Sequence, residues 1–329
     1  MKEELIRFPA KDRHISARTI LDASDRIRPV IERTRIITNT FLNELWDCEV
    51  YVKCEQEQPI GAFKLRGASN FTLQLESVES KSGIVTHSSG NHAQAVAYMA
   101  HQLNIPSHVI MPKNANKRKV EAAKKWGAQI TFCEPTIESR IETADAVVKK
   151  TGGVLIPPFD HEWIVAGQAT CALEILEDQP EMEMIFAPLG GGGLLAGSAL
   201  SAKYFSPNTT VIGTEPEQAQ DGFQGLSTGK KVESFVPNTI ADGLRTPVGQ
   251  IPFDILKNLV SDVWLTSEKE IIDWMYRIWT ELKLVIEPTS AVPFAAINSQ
   301  KEKVKGKKIA IIITGGNVDF TQLPGPNET

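Results

Sequence analysis

Cysteine is scarce: the 329 residues hold four, Cys48, Cys54, Cys133 and Cys171. None forms a C-x-x-C pair, so neither a disulfide framework nor a thiolate metal site is expected. Cys54 adjoins the most informative motif below, and a buried apolar thiol is the expectation there. No apolar stretch reaches the ~18 residues that a membrane span needs. The opening MKEELIRFPAKDR is too charged for a signal-peptide core and too acidic for a transit peptide, which with the reduced thiols predicts a cytoplasmic protein. Lys+Arg 35 stand against Asp+Glu 40, a net charge of −5 with no basic run along which a phosphate backbone would lie, so nucleic acid is not an expected partner. The H-E-x-x-H, G-x-S-x-G and G-x-x-x-x-G-K-[ST] patterns are absent, and the six histidines show no metal-ligand spacing.

What is present is an ordinary globular composition, 42% hydrophobic and 23% charged, in a chain long enough for two domains or one large α/β body. Strand-length apolar runs alternate with segments of helical period, the pattern of mostly parallel sheets with crossover helices. VYVKCE opens the series. A block from Gly83 to Lys150 follows: GIVTHS, NHAQAVAYMAHQLN, SHVIMP, NKRKVEAAKKWG, AQITFCE and TIESRIETADAVVKK. A second series runs through MIFAPL, GGGLLAGSALSAKYF, TVIGTE, DVWLTS, a helix from about Glu268 to Lys283, and KIAIIIT. Two α/β sheets in one chain are expected. Gly152, Gly153, Pro157 and Pro158 punctuate the exit from the first block, and its entry near Ser77 to Ser82 is merely polar.

Ligands of open α/β sheets bind where loops leave the carboxyl ends of strands. Four such loops carry unusual residues. QPIGAFKLRGA sets Lys64 at a helix start, where the positive helix end disfavours a cation; a lysine with its stem on the core and its head in water is the plain reading. THSSGNHAQ offers Ser88, Ser89, Gly90, Asn91 and His92 at a second helix start, suited to a carboxylate or phosphate and equally to helix capping. PLGGGGLLAG places Gly190, Gly191, Gly192 and Gly193 in a row, a backbone that can curl around an anion. Gly191, Gly193 and Ala196 also satisfy G-x-G-x-x-A, with Glu215 about 20 residues on, so a nicotinamide-dependent dehydrogenase is a competing reading. ITGGNVDF ends the last strand with Thr314, Gly315, Gly316 and Asn317, either a close approach to a flat ligand or a turn.

Together GAFKLRGA, THSSGNHAQA, VAGQAT, PLGGGGLLAG and ITGGNVD, with IADG and LVIEPT between the last two, resemble the fold-type II pyridoxal-phosphate enzymes in their threonine/serine dehydratase and serine racemase branch. The resemblance runs from about Ile15 to Asp319. It implies a tryptophan synthase β-like α/β fold: two open, twisted, mostly parallel sheets flanked by helices. A large cofactor-binding domain over 1–76 and 157–329 would carry an inserted small mobile domain over 77–156. In that family the residue matching Lys64 forms an imine with pyridoxal 5'-phosphate. Phe63 would pack on the ring, Asn91 meet the ring hydroxyl, Gly190 to Gly193 hold the phosphate and Thr314 face the pyridine nitrogen. Gly243 in IADG and Glu287 in IEPT match positions lining the site. The dehydrogenase reading leaves Lys64, Asn91 and Thr314 idle, and a non-catalytic binding protein on the same fold leaves the intact Lys64 unexplained.

The resemblance implies an ammonia-lyase acting on a small amino acid. Lys64 would be the base at Cα, and opposite an uncharged Thr314 the ring is a weaker electron sink, which favours expelling a β-hydroxyl. L-Threonine or L-serine would yield a 2-oxo acid and ammonia; serine racemase and 3-hydroxyaspartate ammonia-lyase are the alternatives. Ser88, Ser89, Asn91 and His92 would grip the substrate carboxylate, and Arg140 a hydroxyl or second carboxylate, although an exposed helix arginine is the plain reading. Ser89 resembles the racemase pattern and would exchange a proton on the face away from Lys64, whereas Phe159 stands where racemases have a polar residue. Hydroxyaspartate dehydratases also carry SSGNH. Glu215, the carbonyl of Ala219 and Asp221 match a Mg²⁺ or Ca²⁺ site of the racemase group, with a solvated acidic turn as the alternative. Ile60 and Ala62 depart from the frequent T-G-S-F-K. A homodimer or higher homo-oligomer is implied. Because the sequence ends soon after ITGGNVDF, a C-terminal regulatory domain is not expected.

Overall fold

The computed structural model describes residues 15–76, 81–88 and 90–325; Ser89, expected in the site, lies outside them. The strands are β1 (Ile36–Thr38), β2 (Glu49–Cys54), β3 (Ile84–His87), β4 (Ser107–Pro112), β5 (Gln129–Cys133), β6 (Val154–Leu155), β7 (Met184–Pro188), β8 (Thr210–Pro216), β9 (Asp262–Thr266) and β10 (Lys308–Ile313). They form a six-stranded sheet in the order β1-β2-β10-β7-β8-β9 and a four-stranded sheet in the order β5-β4-β3-β6. Every pairing is parallel except that of β1 with β2. The four-stranded sheet comes from one continuous stretch, and both flanks of that stretch supply the six-stranded one.

A parallel sheet covered on both faces needs strands that are apolar throughout, and the central pair comply: MIFAP of β7 is buried along its length, and KIAIII of β10 at every position but Lys308. Alternation along β10 then divides the core. Ala310 and Ile312 face α7 (Glu162–Asp178) and α8 (Gly193–Phe205), while Ile309, Ile311 and Ile313 face Trp274 of α11 (Glu268–Arg277) and Phe294 of α12 (Pro288–Ser299). In the smaller sheet, α4 (Asn91–Leu103), α5 (Lys117–Lys125) and α6 (Ile137–Thr151) make the crossovers. The remaining helices are α1 (Ala17–Ile27), α2 (Thr40–Trp46), α3 (Lys64–Thr72), α9 (Asp221–Thr228) and α10 (Gln250–Leu259).

The expected strands and helices are all found. One boundary differs: the helix from Glu268 stops at Arg277, a widened π turn covers Ile278–Leu282, and Lys283 takes φ +58°. In this turn the Trp279 indole N–H donates to the Ile286 carbonyl (3.0 Å), tying the helix end to the segment that leads into Glu287. Among the described residues no helix is long and apolar enough to cross a membrane. The four cysteines are free and buried, and burial pushes the Cys48 and Cys54 thiols up to about 11, as inert core thiols require.

Candidate active site

The loops after β2, β3, β7 and β10 converge at the carboxyl ends of their strands. The first and last are zipped together: Phe63 N–H donates to the Thr314 carbonyl (2.9 Å) and Gly316 N–H to the Gly61 carbonyl (3.0 Å) around an antiparallel bridge of Ala62 with Gly315. Lys64 is the first residue of α3. Its Nζ donates to the Pro158 carbonyl (2.8 Å) and lies 5.2 Å from the Phe63 ring centre and 6.0 Å from that of Phe159. Burial pushes the amine down to about 8, against the opposing pull of Glu287. The plain reading of Lys64, a head in water, is therefore set aside.

Asn91 begins α4, and its amide is held from two sides. Its Nδ2 donates to both Glu287 oxygens (3.0 and 3.1 Å), and its Oδ1 accepts from Asn317 Nδ2 (2.9 Å). Glu287 is buried, and that burial with the nearby Asp242 raises its carboxyl to about 7, opposed by the Asn91 amide. Ser88 Oγ accepts from Gly90 N–H (3.3 Å). The buried His92 ring lies with Nε2 3.2 Å from the Ile156 carbonyl, which fixes the Nε2–H tautomer, and burial beside Lys64 pushes its pKa down to about 3. The ring stays neutral, and the His92 backbone N–H at the helix start is the donor left for a ligand.

Gly190 to Gly193 run into α8. A Cβ on Gly191 would stand 2.2 Å from the Phe159 ring, and Gly192 has φ +87°. Only glycine suits those two places, and the opening N–H groups of α8 have no partner within the helix, so the cradle fits a phosphate. A Cβ on Gly190 would meet the Gly243 carbonyl at 2.7 Å, and Gly243 N–H donates to Thr289 Oγ1 (3.1 Å), which sets the IADG loop against the cradle. Thr314 is buried, with Oγ1 3.0 Å from Ser290 Oγ. Burial and, after it, the nearby Arg140 of α6 lower the pKa of the His87 ring, and the buried Arg140 Nε has no hydrogen-bond partner. The structure places it by the end of β3, the strand that leads into Ser88.

Glu215 and Asp221 sit elsewhere, at the end of β8 and the start of α9. Glu215 accepts from Gly222 N–H (2.9 Å) and Phe223 N–H (2.8 Å), capping α9. It is fully buried, with no room for a ribose, and the dehydrogenase reading fails on this residue. Asp221 Oδ2 accepts from Val248 N–H (2.9 Å), whereas its buried Oδ1 has no partner. Burial and the neighbouring Asp221 raise Glu215 well above the carboxylate range; burial raises Asp221 to about 6. Among the described residues no three His, Cys, Asp or Glu side chains are grouped to hold a metal, so a cation here would rest on these two carboxylates and main-chain oxygen such as that of Ala219. Two buried acids with an orphaned oxygen fit a hard cation, although the charge of Lys231 already reaches Asp221.

Sequence reasoning missed the ionic floor beneath α3. Arg66 donates to both oxygens of Glu55 (2.7 and 2.7 Å) and of Glu174 (2.8 and 2.8 Å), and Lys53 Nζ to Glu174 (2.6 Å) and the Thr34 carbonyl (2.7 Å). It also missed the role of Asn317, although the residue stands in a quoted motif.

A family model described as pyridoxal-phosphate dependent enzyme matches residues 27–315. The chain is 42% identical to a beta-hydroxyaspartate dehydratase of Paracoccus denitrificans over 93% of this chain and 97% of that protein. It is 43% identical to a serine racemase of Schizosaccharomyces pombe, over 92% and 94% of the two chains. The solved structure of maize serine racemase superposes with a TM-score of 0.91 at 39% identity, covering 93% and 94%. The glycine cradle, the amine of Lys64 and the uncharged Thr314 suit the cofactor that this family carries, and the chain belongs to the fold-type II pyridoxal-phosphate-dependent enzymes, in the branch of the serine racemases and hydroxy-amino-acid dehydratases.

Proposed function

We propose that the chain catalyses β-elimination of a small hydroxy amino acid such as L-threonine or L-serine to a 2-oxo acid and ammonia. The observation that carries this is Lys64: a desolvated amine, brought to about 8, held by a single carbonyl beside the glycine cradle. The cofactor, when bound, supplies an electron sink for the charge that develops at the substrate Cα. Lys64 would hold the cofactor and would serve as the base that takes the proton from the substrate Cα. Gly190 to Gly193 would hold the phosphate, Phe63 would pack on the ring and Asn91 would donate to the ring hydroxyl. Thr314 would offer the pyridine nitrogen a hydroxyl rather than a carboxylate, which would leave that nitrogen without a charged partner and favour loss of the β-hydroxyl. Ser88, Ser89 and the N–H groups of Asn91 and His92 bind the substrate carboxylate. Phe159, lying on Gly191, shields the base from water. Mg²⁺ or Ca²⁺ between Glu215, the Ala219 carbonyl and Asp221 would stabilise the fold at a distance from the chemistry. The working unit is a homo-oligomer in the cytoplasm, with residues 77–156 closing as a small domain over 1–76 and 157–329.

A second reading, 3-hydroxyaspartate as substrate, is favoured by Arg140: its unpartnered Nε beside the β3 end is what a substrate's second carboxylate would satisfy. Serine racemisation would add Ser89 as the proton donor opposite Lys64. One experiment separates these. The purified holoenzyme is given L-serine, L-threonine and 3-hydroxyaspartate, with 2-oxo acid and the enantiomers of residual substrate measured together. Oxo-acid formation ahead of D-isomer formation is expected. A marked preference for 3-hydroxyaspartate that Arg140→Ala removes selects the second reading, and an excess of D-serine over oxo acid overturns elimination as the main activity.

A further inference from the structure

An amide side chain presents a donor on one edge and an acceptor on the other, so its use depends on what fixes its orientation. Asn91 sits in a chain of contacts whose ends leave no choice. At one end the Ile60 carbonyl can only accept, and it accepts from Asn317 Nδ2 (2.8 Å). The same Nδ2 therefore meets the Asn91 oxygen (2.9 Å), which turns the Asn91 Nδ2 the other way, onto the Glu287 carboxylate (3.0 and 3.1 Å). The Asn317 main-chain N–H also donates toward Glu287. Gly61 makes room: it has φ +72°, and a Cβ there would come within 2.6 Å of Asn317 Oδ1. One residue of the ITGGN loop thus reaches the lysine loop, the α4 start and the buried carboxylate.

We propose that Asn317 is a positioning residue that sets the amide of Asn91, keeping its N–H edge turned toward the cofactor's ring hydroxyl and the Glu287 side of the site. Asn317→Asp tests this, because a carboxylate of the same shape cannot donate to either Ile60 or Asn91. The Asn91 amide then turns its donor edge to Asp at 317, and the ring hydroxyl loses that donor.

The proposal rests on Asn91 facing the cofactor, as read above, and the experiment separates the two. The balance of the cofactor's near-ultraviolet and visible absorption bands is followed against pH in holoenzyme of the parent, Asn91→Ala, Asn317→Asp and the double variant, with kcat/KM alongside. Asn317→Asp should move the bands toward those of Asn91→Ala and lower kcat/KM by about tenfold, the scale of one hydrogen bond. In the Asn91→Ala background the further change should be less than about twofold. Should Asn317→Asp fail to fold, Asn317→Ala, which removes the amide without adding charge, carries the same cycle. Bands that ignore Asn91→Ala defeat the placement of Asn91. Bands that respond to Asn91→Ala and ignore the Asn317 change, or effects that simply multiply in the double variant, overturn the positioning role.

Discussion

Lys64 and Arg66 are two residues apart on one helix and meet opposite fates. Arg66 points into the floor, where two carboxylates take four of its hydrogen bonds and Thr170 a fifth; with Lys53 the quartet carries no net charge. Lys64 points into the cleft, where one carbonyl holds it and, among the described residues, no carboxylate comes within ion-pair distance. The first cation is satisfied by the fold. The second is left for chemistry, and burial without a close counter-charge is what brings its amine down to about 8. Glu215 and Asp221 extend the comparison, since they are buried like the floor acids yet have no cation at ion-pair distance among the described residues, the charge of Lys231 reaching Asp221 from farther off.

Removing the free cation should have the largest effect. Lys64→Ala is expected to lower turnover by at least the ~10²–10⁴-fold that a positioned acid–base group contributes, while circular dichroism and thermal melting stay near the parent. A variant that loses its fold as well would place Lys64 with the structural charges. Ser89→Ala sharpens the comparison within the cleft. Elimination needs Lys64 alone at Cα, so racemisation should fall by ~10²–10⁴-fold in chiral analysis while oxo-acid formation survives in part.

Arg66→Met asks the converse question of the floor. It strands Glu55 and Glu174 with Lys53 as their remaining cation, and breaking a buried pair in this way costs about 3–5 kcal/mol. A melting temperature lower by on the order of 10 °C follows, with cofactor uptake retained below the new transition. The smallest effect concerns the unpaired acids. Chelation should lower the melting temperature by the few degrees that ~1–3 kcal/mol of ion binding supplies, and Mg²⁺ or Ca²⁺ should restore it. Asp221→Ala should respond to neither; melting curves that ignore the chelator in the parent would return the pair to an acidic turn.

The division between the two cations explains what could be read in the sequence. The strands ending in motif loops were legible because β7 and β10 are apolar runs followed by glycines, and Lys64, Asn91 and Gly190 to Gly193 lie where such runs end. Two strands were not, because β1 and β6 have three and two residues and carry no period. The helix α7 was quoted only for VAGQAT: it is buried from Ile164 to Leu176, which erases the amphipathic stripe. Arg66, Glu55, Glu174 and Lys53 look like surface charges one at a time, and their pairing across 108 and 121 residues of chain is visible only once the helices are packed. Asn317 could be named from its motif but not its contacts, for the related reason that they reach the other loops at Ile60 and Asn91.

If Lys64 is the amine left free for the cofactor, the rate at which cofactor-free protein takes up pyridoxal phosphate follows its titration. Uptake requires the unprotonated amine, so the rate should rise with pH and reach half its maximum near the value of about 8 set by burial. Borohydride reduction at the plateau, followed by peptide mapping, should place the adduct on Lys64. A rate that keeps climbing toward the ordinary lysine range near 10.4, or an adduct on any other lysine, would mean that Lys64 is not the cofactor's amine.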